Sequence, residues 1–467
     1  MPWRLLPGAL ILCLAVAGAA QAQPNQPSLP PEVEAALARA RLPRDAVVML
    51  VAPVTGAAPR LAHRVDVPVN PASVAKLTTT FAALDLLGPA FAWSTPVFAE
   101  GNVRDGVLQG NLYIKGQGDP KLVIERLWLL LRRVQALGIR QVTGDIVLDG
   151  SAFQVPPVDP GAFDGEPLRP YNATPDALLV NFKSVVITFT PQGTQARVQV
   201  EPPLAGVQWP ASVPLAEGEC GDWRGGLTAT WADATRPRFE GSFPRSCGER
   251  QWPVAFAEPG TYAVRAVAGL WREIGGQLGG RVREGVVPRG LQPVFESVSP
   301  TLGEVVRDIN KFSNNVMAQQ LFLTLALQQS GVGTPAGARD VITQWWRERI
   351  GGDPPAMDNG SGLSRQERIT AAQLGRLLQV AWNSPSMPEL LASLPVAGVD
   401  GTMRRARRTG TTAHLKTGSL RDVVAVAGFV DGPQGRRHVL VAIANHPNAG
   451  AFRPVIDALV DWAAREP

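Results

Sequence analysis

The middle of the chain does not have the texture of its two ends. From about residue 90 to residue 265, short apolar runs follow one another at 107–114, 142–148, 185–189, 198–200 and 227–231, and Pro and Gly break them at close intervals. Runs of that length between turn formers read as strands. One helical pattern, 122–137, interrupts them. Outside this segment helical periodicity dominates. Residues 32–41 read as a short helix, and after Asn70-Pro71, a helix-start pair, Leu77, Phe81, Leu84 and Leu87 share one face. Further helical patterns cover 302–310, 314–329, 337–349, 371–382 and 454–465, with Thr301 and Glu304 spaced as a capping box. The Val-rich run 46–54 and its return 61–69 form one strand pair, and 423–430 and 438–444, flanking a turn at 431–435, form another. A chain of 467 residues also exceeds what one core usually holds. The expected architecture is α/β and multi-domain: residues 23–89 and 266–467 form one discontinuous domain, and 90–265 form one or more mostly-β domains inserted into it.

The first 22 residues read as an address rather than as structure. Arg4 is the one charge before Glu32, an apolar run follows, and Ala20-Gln21-Ala22 presents small residues at the positions a signal peptidase reads. The expectation is a secretory signal peptide over residues 1–22, export to the periplasm, and no integral membrane anchor after cleavage. Cys13 leaves with that segment. Cys220 and Cys247 then remain, an even pair that in an exported protein reads as one disulfide, the alternative being two buried thiols. The four His show no ligand spacing, so neither a metal nor another cofactor is expected. Of the 45 basic residues only six are Lys, the acidic residues number 40, and the arginines are interspersed with acids, so no nucleic-acid footprint is present.

Three short motifs carry chemistry. In Ser73-Val74-Ala75-Lys76 the hydroxyl and the amine are spaced to meet on one helix face. A Ser hydroxyl needs a base to become a nucleophile, and a Lys neutralised by burial or a neighbouring cation can be that base. Ser313-Asn314-Asn315 follows between two helical patterns. Its hydroxyl can relay a proton, and the Asn315 amide can donate and accept at once. Lys416-Thr417-Gly418-Ser419 precedes a strand pair and supplies a cation, two hydroxyls and a glycine beside which a substrate backbone can lie. The last is the most specific, because chance gives roughly 0.04 Lys-Thr-Gly triplets in such a chain.

Ser-x-x-Lys, Ser-x-Asn and Lys-Thr-Gly in this order are the penicillin-binding and serine β-lactamase set. The usual middle motif has Asp in second place, where this chain has Asn314. The segments Gly116-Gln117-Gly118-Asp119-Pro120, Asp358 to Arg365 and Leu394 to Thr402 resemble the D-alanyl-D-alanine carboxypeptidase/endopeptidase family of class C low-molecular-mass penicillin-binding proteins. That resemblance implies a transpeptidase domain of helices around an antiparallel sheet, with β-rich insertions between the first two motifs. It implies Ser73 as acylated nucleophile, Lys76 as base, Ser313 as proton relay, and Asn315, Lys416, Thr417, Gly418 and Ser419 as substrate-binding residues. Asp149 and Phe153 are expected to reach the cleft from the insert. The implied substrates are peptidoglycan stem peptides ending in D-Ala-D-Ala or joined by D-Ala cross-links, with β-lactams as covalent inhibitors. Two other readings remain at this stage: a β-lactamase or esterase of the same superfamily, and a non-catalytic wall-binding protein. No Glu-x-x-Leu-Asn stretch of the kind class A β-lactamases use to deacylate occurs between Asn315 and Lys416.

Overall fold

The computed structural model describes residues 29–407 and 411–465, so the expected signal peptide lies outside the described residues. A five-stranded antiparallel sheet runs in the order Ala413–Leu420, Val423–Asp431, Arg437–Asn445, Val47–Pro53, Leu61–His63. Its three inner strands read as continuous apolar runs because both faces are covered. Side chains alternate across a strand, so Val48, Leu50 and Ala52 enter one core and Val47, Met49 and Val51 the other. The first core is roofed by the helices Lys76–Leu87, Leu302–Phe312, Asn315–Ser330, Pro335–Trp345 and Ala371–Trp382. The second is closed by the terminal helices Pro31–Ala40 and Arg453–Ala463.

The β-rich segment leaves and re-enters this domain at one place. The Leu302 N–H donates to Phe91 O at 2.7 Å and the Gly303 N–H to Pro89 O at 3.0 Å. Between those points lie a mixed sheet (Val282–Glu284, Ile146–Asp149, Leu112–Lys115, Ala92–Ala99, Phe295–Thr301) and an antiparallel one centred on Ser184–Gln192 and Gln195–Glu201. The boundary expected at residue 265 falls inside a core, not between two. The helix Tyr262–Glu273 buries Tyr262, Ala266, Val267, Leu270 and Trp271 with Val97, Leu131 and Ile187, and Val282 and Phe295 join them. The sequence reading assigns no helix to 262–273, and the apolar face of this one has its partners in the insert.

Most expected elements occur within a few residues of their predicted ends, including the capping box, in which the Thr301 N–H donates to Glu304 Oε2 at 2.8 Å. The run 107–114 divides into Val107–Gln109 and Leu112–Lys115, and 142–148 into Gln141–Val142 and Ile146–Asp149, because each half pairs in a different sheet. Among the described residues no helix is long and apolar enough to cross a membrane, and no cluster of His, Cys, Asp or Glu is placed to hold a metal ion.

Cys220 and Cys247 are joined in a disulfide with their Cα atoms 4.7 Å apart, beneath aromatic contacts that link Phe189, Trp223 and Phe243. Closing a loop of 27 residues is worth about 3.5 kcal/mol in the chain-entropy model. Reduction is therefore expected to lower the thermal midpoint of the insert while leaving penicillin acylation of the still-folded protein within about twofold of the oxidised rate. Calorimetry and an acylation assay on the same reduced sample check both halves.

Candidate active site

The first motif is held in a strained turn. Asn70 Oδ1 accepts from the Ala72 N–H at 2.9 Å, while Asn445 on the sheet donates to Asn70 O at 3.0 Å and accepts from its N–H at 2.9 Å. Ala72 has φ 46°, a left-handed conformation unusual for a residue with a Cβ. The chain then makes a 3-10 turn over Ala72–Ala75, and the α-helix starts at Lys76. This corrects the expectation that Asn70-Pro71 opens the α-helix itself: the left-handed step at Ala72 interrupts the α path. The turn is wedged against glycine backbone. A Cβ at Gly418 would stand 2.8 Å from Pro71 O and 3.0 Å from Ser73 N, which explains why only glycine fits there.

Lys76 is fully buried. Its Nζ lies 2.9 Å from Ser73 Oγ and 2.7 Å from Asn315 Oδ1, and it also contacts the Ser361 carbonyl. Loss of water around the ammonium pulls its pKa down to about 7, against an opposing attraction from Glu367. Lys416, equally buried, lies with its Nζ 2.8 Å from Ser313 Oγ and 2.6 Å from Thr417 O. Burial pushes its pKa well below the usual value, and repulsion from Lys76 adds to that.

Ser313 closes the helix Leu302–Phe312 in a left-handed conformation, φ 56°. Asn314 begins the next helix, its Oδ1 accepting from the Met317 N–H at 3.0 Å. The middle residue of the motif is thus a helix cap, a task Asn and Asp perform about equally. Its departure from Asp leaves the flanking Ser313 and Asn315 in position. The third motif precedes the strand pair Val423–Asp431 and Arg437–Asn445, as expected, and itself lies within a further strand, Ala413–Leu420, that the sequence reading does not include. That strand is at the sheet edge: Val423–Asp431 pairs along its inner side, and on its outer side the segment 395–397 bonds to its first residues, Ala413 and Leu415. Thr, Gly and Ser interrupt its apolar alternation, which hid it from a periodicity reading. A cleft of about 410 Å³ opens over Ser73, Ser313, Thr417, Gly418 and Ser419.

Asp149 and Phe153 do not join this group. Asp149 is buried in the insert, with Oδ1 accepting from the Ser151 N–H and Oδ2 from the Val287 N–H, each at 2.9 Å. Phe153 packs with Ala152, Ala177 and Leu323 and lies against Gly118 and Gly333. Neither lines the cleft: Asp149 ends the strand Ile146–Asp149 inside the insert, and Phe153, four residues beyond it, packs on Leu323 of the helix Asn315–Ser330. The insert approaches the site instead through Tyr171, whose carbonyl accepts from Asn315 Nδ2 at 3.4 Å, and Phe163, over which Arg365 lies at 4.8 Å.

Sequence reasoning gave no role to four other residues at the site. The Ser361 carbonyl and the buried Glu367 belong to the loop after Asp358. Thr402 Oγ1 lies 2.7 Å from Thr417 Oγ1, and Lys311, 2.6 Å from Asp400, ties the segment 394–402 to the second motif. The run Asp358-Asn359-Gly360-Ser361-Gly362 carried a signal: two closely spaced glycines amid turn formers, which here have φ 72° and 78°.

A helix-roofed antiparallel sheet with Ser-x-x-Lys at a helix start, Ser-x-Asn between helices and Lys-Thr-Gly on the edge strand defines the penicillin-binding class of serine peptidases. The profile of the D-Ala-D-Ala carboxypeptidase 3 (S13) family matches residues 29–466, and the chain belongs to that family. It is 30% identical over 409 residues to the D-alanyl-D-alanine carboxypeptidase of Actinomadura sp. strain R39, covering 81% of this chain and 74% of that one. It is 25% identical over 393 residues to the D-alanyl-D-alanine carboxypeptidase DacB of Haemophilus influenzae, covering 81% of each. Among solved structures, penicillin binding protein 4 (dacB) from Haemophilus influenzae matches with TM-score 0.73 at 22% identity, over 92% of this chain and 99% of that one.

Two outcomes follow from this geometry. Asn314→Ala should cost about 1 kcal/mol of stability by removing the cap, whereas Asn314→Asp should be nearly neutral. Urea denaturation of both variants checks the difference. The second concerns pH. Lys76 holds its proton up to its ordinary pKa of 10.5 when unfolded but only to about 7 when folded. Between those values the unfolded state binds more protons, so this group makes stability rise with pH. The stability of the wild type relative to Lys76→Met should therefore increase from pH 7 to pH 10, as measured by denaturation at each pH.

Proposed function

We propose that the protein is a serine DD-peptidase that cleaves the terminal D-Ala-D-Ala bond, or a D-Ala cross-link, of peptidoglycan stem peptides through an acyl-enzyme on Ser73. The observation that carries this reading is the set of partners around Lys76 Nζ. A neutral amine has two N–H donors and one lone pair. The donors suit Asn315 Oδ1 and the Ser361 carbonyl, which leaves the lone pair for the Ser73 hydroxyl proton at 2.9 Å. With a pKa of about 7 Lys76 is in large part neutral at working pH, as a general base must be.

In this mechanism Ser73 Oγ attacks the penultimate D-Ala carbonyl carbon as its proton passes to Lys76. The backbone N–H groups of Ser73 and Ser419 take the oxyanion. The C–N bond then breaks, the amine leaves with a proton relayed through Ser313, and water hydrolyses the ester. The substrate backbone lies along the edge strand Ala413–Leu420, adding to the sheet. Thr417 and Ser419 hydroxyls and the Lys416 ammonium hold the terminal carboxylate. β-Lactams acylate the same oxygen. The catalytic domain is formed by residues 29–91 and 302–465, with the intervening residues as the insert. A substrate of this kind lies outside the cytoplasmic membrane, and the Cys220–Cys247 disulfide supports an exported, periplasmic protein.

Ser73→Ala should fold and form no penicillin adduct by intact mass, and an adduct persisting on that variant would overturn the assignment. Lys76→Arg, whose guanidinium does not deprotonate, should acylate at least about 100-fold more slowly. For the wild type the acylation rate should rise with pH through about 7, as the Lys76 ammonium loses its proton. Digestion of purified muropeptides, read by mass, tests the substrate: loss of one terminal alanine from pentapeptides marks carboxypeptidase action, and conversion of cross-linked dimers to monomers marks endopeptidase action. Rapid release of bound penicillin would instead favour a β-lactamase.

A further inference from the structure

The loop that supplies the Ser361 carbonyl to Lys76 is itself built around a buried carboxylate. Glu367 is 1% exposed. Its Oε1 accepts from three successive backbone N–H groups, those of Asp358 and Asn359 at 3.2 Å and of Gly360 at 3.1 Å. Consecutive amides converging in this way form a nest of the kind that binds anions. Here the chain fills the nest with its own side chain. Glu367 Oε2 is buried and has no hydrogen-bond partner. Leaving a carboxylate oxygen in that state is costly unless a nearby charge compensates it.

The nest is continuous with the reacting centre. Thr79, on the same helix as Lys76, donates from Oγ1 to Gly360 O at 2.7 Å. Only glycine fits at 360, since a Cβ there would lie 2.6 Å from the Phe322 ring and 2.8 Å from Thr79 Oγ1. Asn359 Oδ1 accepts from the Ser361 N–H at 3.0 Å and from Ser361 Oγ at 2.7 Å, which fixes the next peptide. The Ser361 carbonyl then meets Lys76 Nζ.

We infer that Glu367 is a positioning residue for the acylation step: its carboxylate locks the loop that presents the Ser361 carbonyl, and its negative charge sets how readily Lys76 holds a proton. The inference rests on Lys76 being the base for Ser73. The charge that bears on Lys76 is Glu367 from the loop, whose carboxylate attracts its ammonium; Lys416 on the edge strand is in turn the group that the Lys76 charge pushes toward neutrality. Burial pushes the Glu367 carboxyl above its ordinary range, the three backbone N–H groups of the nest oppose that, and the Asp358 charge adds to the rise. Glu367 is thus the counter-charge that keeps the Lys76 proton affinity near neutrality, where the amine can both take the Ser73 proton and return it. Without it, burial would lower that affinity further and leave a weaker base.

The test is the pH profile of second-order penicillin acylation for wild type, Glu367→Gln and Thr79→Val. Glu367→Gln preserves shape and an acceptor oxygen but removes the charge. Its acid limb should move to lower pH by about one unit, the effect of one charge at close range, and its plateau rate should fall about tenfold. Thr79→Val loosens the same loop without changing charge, so its plateau should fall while its limb stays at the wild-type pH. An unmoved limb in Glu367→Gln, or an equal displacement in Thr79→Val, would overturn the inference. Should Glu367→Gln fail to fold, infrared titration decides, with the Glu367 band isolated by difference against Glu367→Asp. A carboxylate ionised through the range in which acylation rises supports the proposal, and a carboxyl protonated throughout it overturns it. Failure of the underlying mechanism is distinguishable, because Lys76→Arg would then acylate at near the wild-type rate.

Discussion

Two lysine ammonium groups are removed from water within one cleft, and the rest of the catalytic domain is arranged to make that tolerable. An uncompensated buried charge costs several kcal/mol, so each amine must be either partnered or neutral. Lys76 is met by oxygens from three separate segments: Ser73 on its own turn, Asn315 at the start of a helix 239 residues away, and the Ser361 carbonyl. Lys416 reaches across from the sheet edge to Ser313. No pair of these segments makes the site alone. The cleft exists only where the edge strand, the turn before Lys76 and the junction of two helices converge, so folding and assembly of the site are one event.

Backbone geometry carries much of this convergence. Ala72 and Ser313 both adopt left-handed conformations, and each places a hydroxyl-bearing residue, Ser73 or Ser313 itself, at the cleft. Such strain persists only when the surroundings hold it. Asn445 clamps Asn70 from the sheet, and the Asn314 cap fixes the helix that follows Ser313. Gly418 lets the edge strand approach the turn to a distance that any Cβ would prevent.

The insert supports the site from behind. Trp93 donates from Nε1 to Thr324 Oγ1 at 3.0 Å, and Gln320 both accepts from the Asp176 N–H and donates to its carbonyl, each at 2.8 Å. Both partners lie on the helix that Asn315 begins. The long segment between the first two motifs therefore does more than occupy sequence. It braces the helix whose first residue holds Lys76, and its own core extends through the helix Tyr262–Glu273 to Phe295.

The chemistry-bearing residues were legible from their order along the chain: Ser73 with Lys76, Ser313 with Asn315, and Lys416 through Ser419. The helices of the outer domain and the three inner strands of its sheet were legible too, because burial on one face or both writes a period into the sequence. The disulfide followed from there being an even pair of cysteines. Three things did not follow. The Lys-Thr-Gly strand lacks an apolar alternation, and its place at the edge depends on ladder partners elsewhere in the chain. Asp149 and Phe153 looked equivalent to cleft residues by spacing, but spacing does not say on which side of the helix Asn315–Ser330 a strand ends. The role of Glu367 rests on three amides and a carbonyl, groups every residue possesses, so no side-chain pattern could announce it. Local sequence determined which side chains are available and which elements form. Only the tertiary structure decided which backbone groups meet them, because those contacts join segments hundreds of residues apart and depend on conformation rather than composition.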